Sequence, residues 1–198
     1  MQGKSCHLSL KLVSVKKVNK LLKGLKNSKS PAIDELDNYC VTAAADIIDK
    51  PLHHIMTQSI LQSRFPRNWK FSKVIPLHKK SCPMERKNYR PVSILSPLSK
   101  ILEKLVYEQL YDYLTRNYIF HPDLHGYRQS RSTQTALLTI YDRWVKAAAA
   151  GQVSGAVLLD LSAAFDLVDP DLLIKKLRIY GLDKSSLDWV ASYLDDRY

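Results

Sequence analysis

An α+β fold is predicted by three stretches of this 198-residue chain. Between Ser96 and Tyr118, residues Leu98, Ile101, Leu102, Leu105, Val106, Leu110, Tyr113 and Leu114 recur at steps of three and four, the period of an amphipathic helix. Phe71 to Lys80 and Tyr89 to Leu95 are short apolar runs separated by the polar, turn-prone stretch SCPMERKN, a pattern that predicts a β-hairpin. The third stretch is GAVLLDLSAAFDLVDPD, Gly155 to Asp171. Its unbroken apolar run Ala156–Leu159 is the pattern of a strand buried on both faces, and the run ends on Asp160. An ionised carboxylate at the end of a buried strand loses hydration that a cation or good hydrogen bonds must replace. On this stretch alone two readings stand: a ligand for a divalent metal, or a turn former or helix N-cap.

With 45% hydrophobic and 25% charged residues the chain is expected to fold around a core. No apolar run approaches the roughly 18 residues that span a bilayer. The opening MQGKSCHLSLKLVSVKK lacks a signal-peptide core followed by a small-residue cleavage site, so an intracellular protein, nuclear or cytoplasmic and not secreted, is expected. Cys6, Cys40 and Cys82 are far apart and without CxxC spacing, which argues against a disulfide framework and against a zinc site. The net charge of +11 is unevenly spread: residues 1–104 hold 20 of the 30 Lys and Arg but only 7 of the 19 Asp and Glu. Such a basic half suggests nucleic acid or an acidic membrane surface, although a run of lysines is by default a solvated face.

In chain order, residues 1–30 carry eight lysines, and Lys11–Leu25 is compatible with a helix but shows no deep apolar stripe, so a loosely attached basic arm is expected there. Pro31-Ala32-Ile33-Asp34 reads as a loop. Two short helices follow, Val41–Ile48 and Pro51–Ser63, with Asp49 as N-cap of the second and Pro51 in its first turn; Phe65–Trp69 ends them. Pro76 inside the first hairpin strand marks an edge or bulged strand. Ser96 caps the long helix, with Pro97 at its first position. His121–Thr133 is a loop carrying His121, His125, Arg128 and Arg131; no further Cys, His or acid at ligand spacing makes metal ligands of its histidines. Ser132 opens a helix through Ala149 with Leu137, Ile140, Tyr141 and Trp144 on one face. Asp169 caps a helix that starts at Pro170 and stops at Gly181, and a last helix runs from Ser185 to Leu194.

Five segments now stand in order: FPRNWKFSKVIPLHKK, NYRPVSILSPLSKILEKLV, LHGYRQSRSTQTALL, VLLDLSAAFDLVDPDLLIKKL and WVASYLDDR. Together they resemble the reverse transcriptase domain of non-LTR (LINE-type, jockey-like) retrotransposons, from about Leu25 onward. The resemblance implies a right-hand polymerase: a basic N-terminal arm over 1–30, fingers with connecting helices over 31–150, and the start of a palm over 151–198. It implies RNA-directed DNA synthesis, with RNA template, DNA primer and deoxynucleoside triphosphates as partners, no membrane, and two Mg²⁺ ions in the complete enzyme, with Mn²⁺ as a substitute.

By the same resemblance Asp160 matches the first catalytic, metal-binding aspartate, and the carbonyl of Leu161 a metal ligand beside it. Phe165 matches the aromatic residue that screens the sugar 2′ position. Arg90, in NYRP, matches the fingers arginine on the incoming triphosphate, with Lys79 as its lysine partner and Lys80 as the alternative. Arg128 and Arg131, in GYRQSRS, match a nucleic-acid-binding motif near template and active site. Asp166 is shared with the family and is expected to orient the turn.

The chain departs from the family at Ala32, where glycine is usual. The family's later motifs, a glycine-containing template loop, an aromatic-x-Asp-Asp hairpin and a thumb, are not found in the 198 residues. Tyr193-Leu194-Asp195-Asp196 imitates the aspartate hairpin, but it directly follows WVAS at a helix end and is expected to play no catalytic part. The expectation is therefore an incomplete reverse transcriptase, inactive by itself. Two alternatives are a non-catalytic nucleic-acid-binding remnant of a retroelement and a metal-dependent phosphohydrolase with Asp160 as nucleophile; the second leaves the hairpin without a role.

Overall fold

A computed structural model of the chain describes residues 7–26, 31–79, 82–161, 164, 165 and 167–197. Its elements run α1 (Val15–Lys23), α2 (Asn38–Ala43), α3 (Ala45–Leu61), β1 (Ser72–His78), β2 (Tyr89–Leu95), α4 (Pro97–Arg116), α5 (Thr133–Ala149), α6 (Pro170–Ile179) and α7 (Lys184–Leu194). Among the described residues the regular elements are helices and one two-stranded sheet, in keeping with the α+β expectation. Two compact units divide the chain: Met1–Tyr113 with Asp169–Tyr198, and Leu114–Val168.

The core of the first unit gathers Val18, Leu21 and Leu22 of α1, Ala45, Leu52 and Met56 of α3, Ile101, Leu102, Leu105 and Val106 of α4, and Trp189 of α7, with Phe65 and Trp69 from the intervening chain. The arm expectation fails here. Val18, Leu21 and Leu22 lie at i, i+3 and i+4, a narrow stripe that the surrounding lysines conceal in the sequence, and all three are buried. Ser14 caps α1, its hydroxyl accepting from the Lys17 amide. The lysines stay at the surface, where Lys17 pairs with Glu108 and Lys23 with Asp46, each at 2.6 Å. Leu22 is fully buried. Leu22→Ala should therefore cost about 3 kcal/mol, the range for a truncated core leucine; a urea midpoint unmoved by the substitution would restore the loose arm.

The α2–α3 region needs a second correction. The first helix ends at Ala43, and α3 starts at Ala45 and runs unbroken through Pro51, so Asp49 is no cap. Proline deprives the carbonyl four residues back of its donor. Pro51 is on the exposed side of α3, and Ile47, whose carbonyl is freed, is also exposed, so water can take the place of the lost bond. Asp49 instead accepts from the Asn19 side chain at 3.0 Å, which ties α3 to α1.

A smaller cluster, Leu8, Leu177, Leu182 and Leu187, closes the corner between α6 and α7. Leu8 donates to Gly181 O (2.9 Å) and accepts from the Asp183 amide (3.0 Å), so Leu8 is stitched to this corner. Gly181 has φ +94°, a conformation that costs glycine least. Asp183 caps α7 by accepting from the Ser186 amide. Burial raises its carboxyl pKa, but the bonds from Ser186, Ser9 and Ser185 outweigh that and hold it below the ordinary range.

The second unit holds the loop 117–132, α5 and the stretch up to Val168. Ser132 caps α5 as expected, in a reciprocal box with Thr135. Among its described residues none is buried: Leu137, Ile140, Tyr141 and Trp144 of α5 are all exposed. The strand expected at Ala156–Leu159 is not formed. Residues 152–161 are irregular and at the surface, Leu158 being 96% exposed. The physical reason is pairing: among the described residues β1 and β2 make a two-stranded sheet with each other, and no strand lies against 156–159 to satisfy its backbone or cover its side chains.

Candidate active site

The hairpin forms as predicted, antiparallel, with Pro76 opposite Pro91 and Leu77 opposite Arg90. The Lys79 amide donates to Asn88 O at 2.8 Å, one step beyond the last strand pair. Hydrogen-bonded and non-hydrogen-bonded pairs alternate along an antiparallel ladder, so Leu77/Arg90 is a bonded pair and Pro76/Pro91 a non-bonded one. Neither proline removes a bond from the ladder. Each removes an outward N–H instead, which blunts both edges of the ribbon against a third strand.

The same alternation fixes the faces. Lys73, Ile75, Leu77 and Lys79 share one face with Arg90, Val92 and Ile94, whereas Val74, Pro76 and His78 share the other with Tyr89, Pro91 and Ser93. Lys79 and Arg90 are therefore diagonal neighbours on one face, about 7–8 Å apart at the backbone. Both are exposed. The far end of the hairpin is held by the Tyr89 hydroxyl donating to Pro83 O (2.9 Å) and the Asn88 side-chain Nδ2 donating to Cys82 O (2.8 Å). Lys80 lies outside the described residues.

In the second unit the loop before α5 is organised by its arginines. Arg131 donates to Pro122 O at 2.6 Å. The Thr135 hydroxyl donates to Ser132 O (2.9 Å), which leaves it to accept from His125 Nδ1 (2.8 Å); His125 Nε2 then faces the Arg131 guanidinium at 3.4 Å as an acceptor. This bonding gives His125 a structural role, and among the described residues no group of three His, Cys, Asp or Glu could hold a metal. Arg128 lays its guanidinium over the Phe120 ring at 4.4 Å, and its Nε is buried without a partner. Asp123 accepts from Arg143 at 2.6 Å, a bond that holds the Asp123 carboxyl below the usual carboxylate range.

Asp160 and Leu161 are exposed on the irregular stretch described above, and Asp166 lies outside the described residues. Phe165 is 74% exposed and meets the Tyr127 ring edge-on, centroids 5.9 Å apart at 85°. Periodicity and motif spacing do not single out Tyr127; its one signal is the φ of +56° that this bulky residue adopts after Gly126. As donors, the Asp160 carboxylate and a neighbouring carbonyl suit Mg²⁺, which takes one or two carboxylates together with substrate phosphates and water.

Tyr193-Leu194-Asp195-Asp196 is a helix end. Tyr193 stacks on Trp189 (5.7 Å, 6°), and the Arg197 guanidinium lies over the Tyr193 ring at 4.1 Å while pairing with Glu103 at 2.8 Å. Burial, then the Glu103 charge, push the Tyr193 phenol up. Asp195 ends α7, and its carbonyl accepts from the buried Lys70 ammonium at 2.9 Å.

Residues 77–198 match the family described as reverse transcriptase (RNA-dependent DNA polymerase). The chain is 30% identical over 203 residues to a probable RNA-directed DNA polymerase from transposon BS of Drosophila melanogaster, covering 96% of this chain and 21% of that protein. It is 29% identical to the RNA-directed DNA polymerase from mobile element jockey of the same species, with the same two coverages. An uncharacterized 149 kDa protein of transposon TX1 from Xenopus laevis is 27% identical over 85% of this chain and 13% of its own length. The chain thus spans about a fifth of the length of the first two relatives.

Proposed function

Because the chain belongs to the reverse transcriptase (RNA-dependent DNA polymerase) family, we propose that it supplies the fingers and the first part of the palm of a retrotransposon RNA-directed DNA polymerase. The observation that carries this reading is the hairpin register, which makes Lys79 and Arg90 neighbours on one face. Arg offers paired donors and Lys a compact point charge, the combination that grips a triphosphate. The concentration of Lys and Arg in residues 1–104 supports a partner with a phosphate backbone. Among the described residues no helix is long and apolar enough to cross a membrane.

In this reading residues 31–150 work as fingers with connecting helices and 151–198 as the start of the palm. Residues 1–30 are a basic segment whose helix is docked on the fingers core. The apolar run 156–159 becomes a palm strand when neighbours from a longer polypeptide, of the length the relatives have, pair with it. That pairing brings Asp160 to the end of a covered strand, where its carboxylate and the Leu161 carbonyl hold a divalent cation. Two such ions, Mg²⁺ or Mn²⁺, would activate the primer hydroxyl and neutralise the triphosphate. Arg90 and Lys79 bind and orient the triphosphate tail, which leaves the α-phosphate facing the primer. The Phe165 ring fills the space that a ribose 2′-hydroxyl would need. Arg128 and Arg131, on a loop held by its own carbonyls and rings, face template or primer backbone. The substrates are RNA template, DNA primer and deoxynucleoside triphosphates, and the setting is intracellular, nuclear or cytoplasmic.

The test is nucleotide binding to the 198-residue chain by titration calorimetry. Arg90→Ala and Lys79→Ala should each weaken binding of all four deoxynucleoside triphosphates by about tenfold, the worth of a charge-assisted contact. Loss confined to one base, or no loss in either variant, would remove the hairpin from the nucleotide site.

A further inference from the structure

The ring that the proposed function sets against the sugar stands in an exposed position. Phe165 is 74% exposed, so packing in a core does not select its rotamer, and the staggered wells about χ1 would carry the ring to quite different places. A ring that excludes a hydroxyl by occupying its space must stay in one of them. One contact selects among them: the Tyr127 ring meets Phe165 at 5.9 Å and 85°, the edge-to-face arrangement favoured by the ring quadrupoles.

Tyr127 is itself held in place. It adopts φ +56°, which a bulky residue ordinarily avoids and which persists only where the surroundings impose it. The next residue, Arg128, is fixed by its guanidinium over the Phe120 ring at 4.4 Å, and its carbonyl accepts from the Arg131 amide at 3.3 Å. The left-handed turn thus projects the tyrosine ring from an anchored loop, and the ring, 84% exposed, gains little from burial.

We propose that Tyr127 is a positioning residue that holds the Phe165 ring and thereby sets the discrimination between deoxy- and ribonucleotides. This rests on the reading of Phe165 given under the proposed function. The substrate feature concerned is the 2′ carbon of the incoming nucleotide, and Tyr127 acts on it through Phe165.

The test has two parts. In the 198-residue chain, NMR of a selectively labelled Phe165 ring should show ring-current shifts that collapse in Tyr127→Gly and persist in Tyr127→Phe. Glycine removes the ring and accepts the positive φ, so the loop is not strained by the change. In an active polymerase that carries this chain, Tyr127→Gly should lower the kcat/KM preference for deoxynucleotides over ribonucleotides by about three- to tenfold, the range an edge-to-face pair is worth. Tyr127→Phe should keep the preference. Phe165 signals that ignore Tyr127→Gly would overturn the proposal. So would an intact preference in Tyr127→Gly alongside a lost one in Phe165→Val. If Phe165→Val itself leaves the preference intact while the ring shifts behave as expected, the pair exists but the reading of Phe165 fails, and the proposal falls with it.

Discussion

Asp160→Asn is expected to lower RNA-templated DNA synthesis by about 10³-fold or more in an active polymerase carrying this chain, because a metal-held transition state loses its anionic protein ligand. The substitution keeps the side chain's shape and removes its charge. Asp160 lies in an exposed, irregular stretch and contributes to neither hydrophobic cluster, so the fold should not change. Far-UV circular dichroism and the urea midpoint of the variant should overlay those of the wild type. Primer extension on an RNA template measures the activity; retention of more than about a tenth of the wild-type rate would take Asp160 out of the metal site.

The largest stability effect is expected at Trp189, where α7 enters the core. Its side chain is 2% exposed, its indole N–H donates to Ser59 Oγ at 3.0 Å, and it meets Phe65 edge-on at 5.5 Å and Tyr193 face-on at 5.7 Å. Trp189→Ala removes the hub of this aromatic group and should cost about 4 kcal/mol, within the range for large-to-small changes of buried aromatics. Ser59 keeps one partner, since its hydroxyl also reaches Arg64 O at 2.6 Å, so no orphaned hydroxyl adds to the penalty. Trp189→Phe should recover about half of the loss by refilling the volume. Urea unfolding followed by circular dichroism checks both, and a cost under about 1 kcal/mol for the alanine variant would mean that α7 is not seated as described.

What could be read in the sequence were features whose causes are local. The hairpin, the Ser132 cap of α5 and the Asp169 cap of α6 each depend on residues within a few positions of one another, and each formed as expected. The docking of α1 was hidden because three apolar positions are diluted among lysines, and Val18, Leu21 and Leu22 owe their burial to a core assembled from other helices, α3 among them. Pro51 misled for a similar reason. A proline inside a helix is tolerated when the freed carbonyl is exposed, and exposure is a tertiary property. The run 156–159 states in its composition that it is to be covered, yet a strand exists only where a neighbour pairs with it, and none of the described residues does. Of the proposed site, Asp160, Arg90, Lys79 and Phe165 are marked in the sequence by motif alone. The Tyr127–Phe165 contact joins residues far apart in the chain and has no sequence pattern of its own.

In the proposed reading the reaction runs on Asp160 and not on the aspartates at the end of α7. RNA-templated primer extension by an active polymerase carrying this chain, with Asp195 and Asp196 both changed to Asn, distinguishes the two. Asp195 ends a helix and gives its carbonyl to Lys70, and the ring of Tyr193 is held by Trp189 and Arg197. The account predicts Mg²⁺-dependent DNA synthesis at close to the wild-type rate in that double variant. Synthesis that disappears in it while persisting in Asp160→Asn would contradict the account.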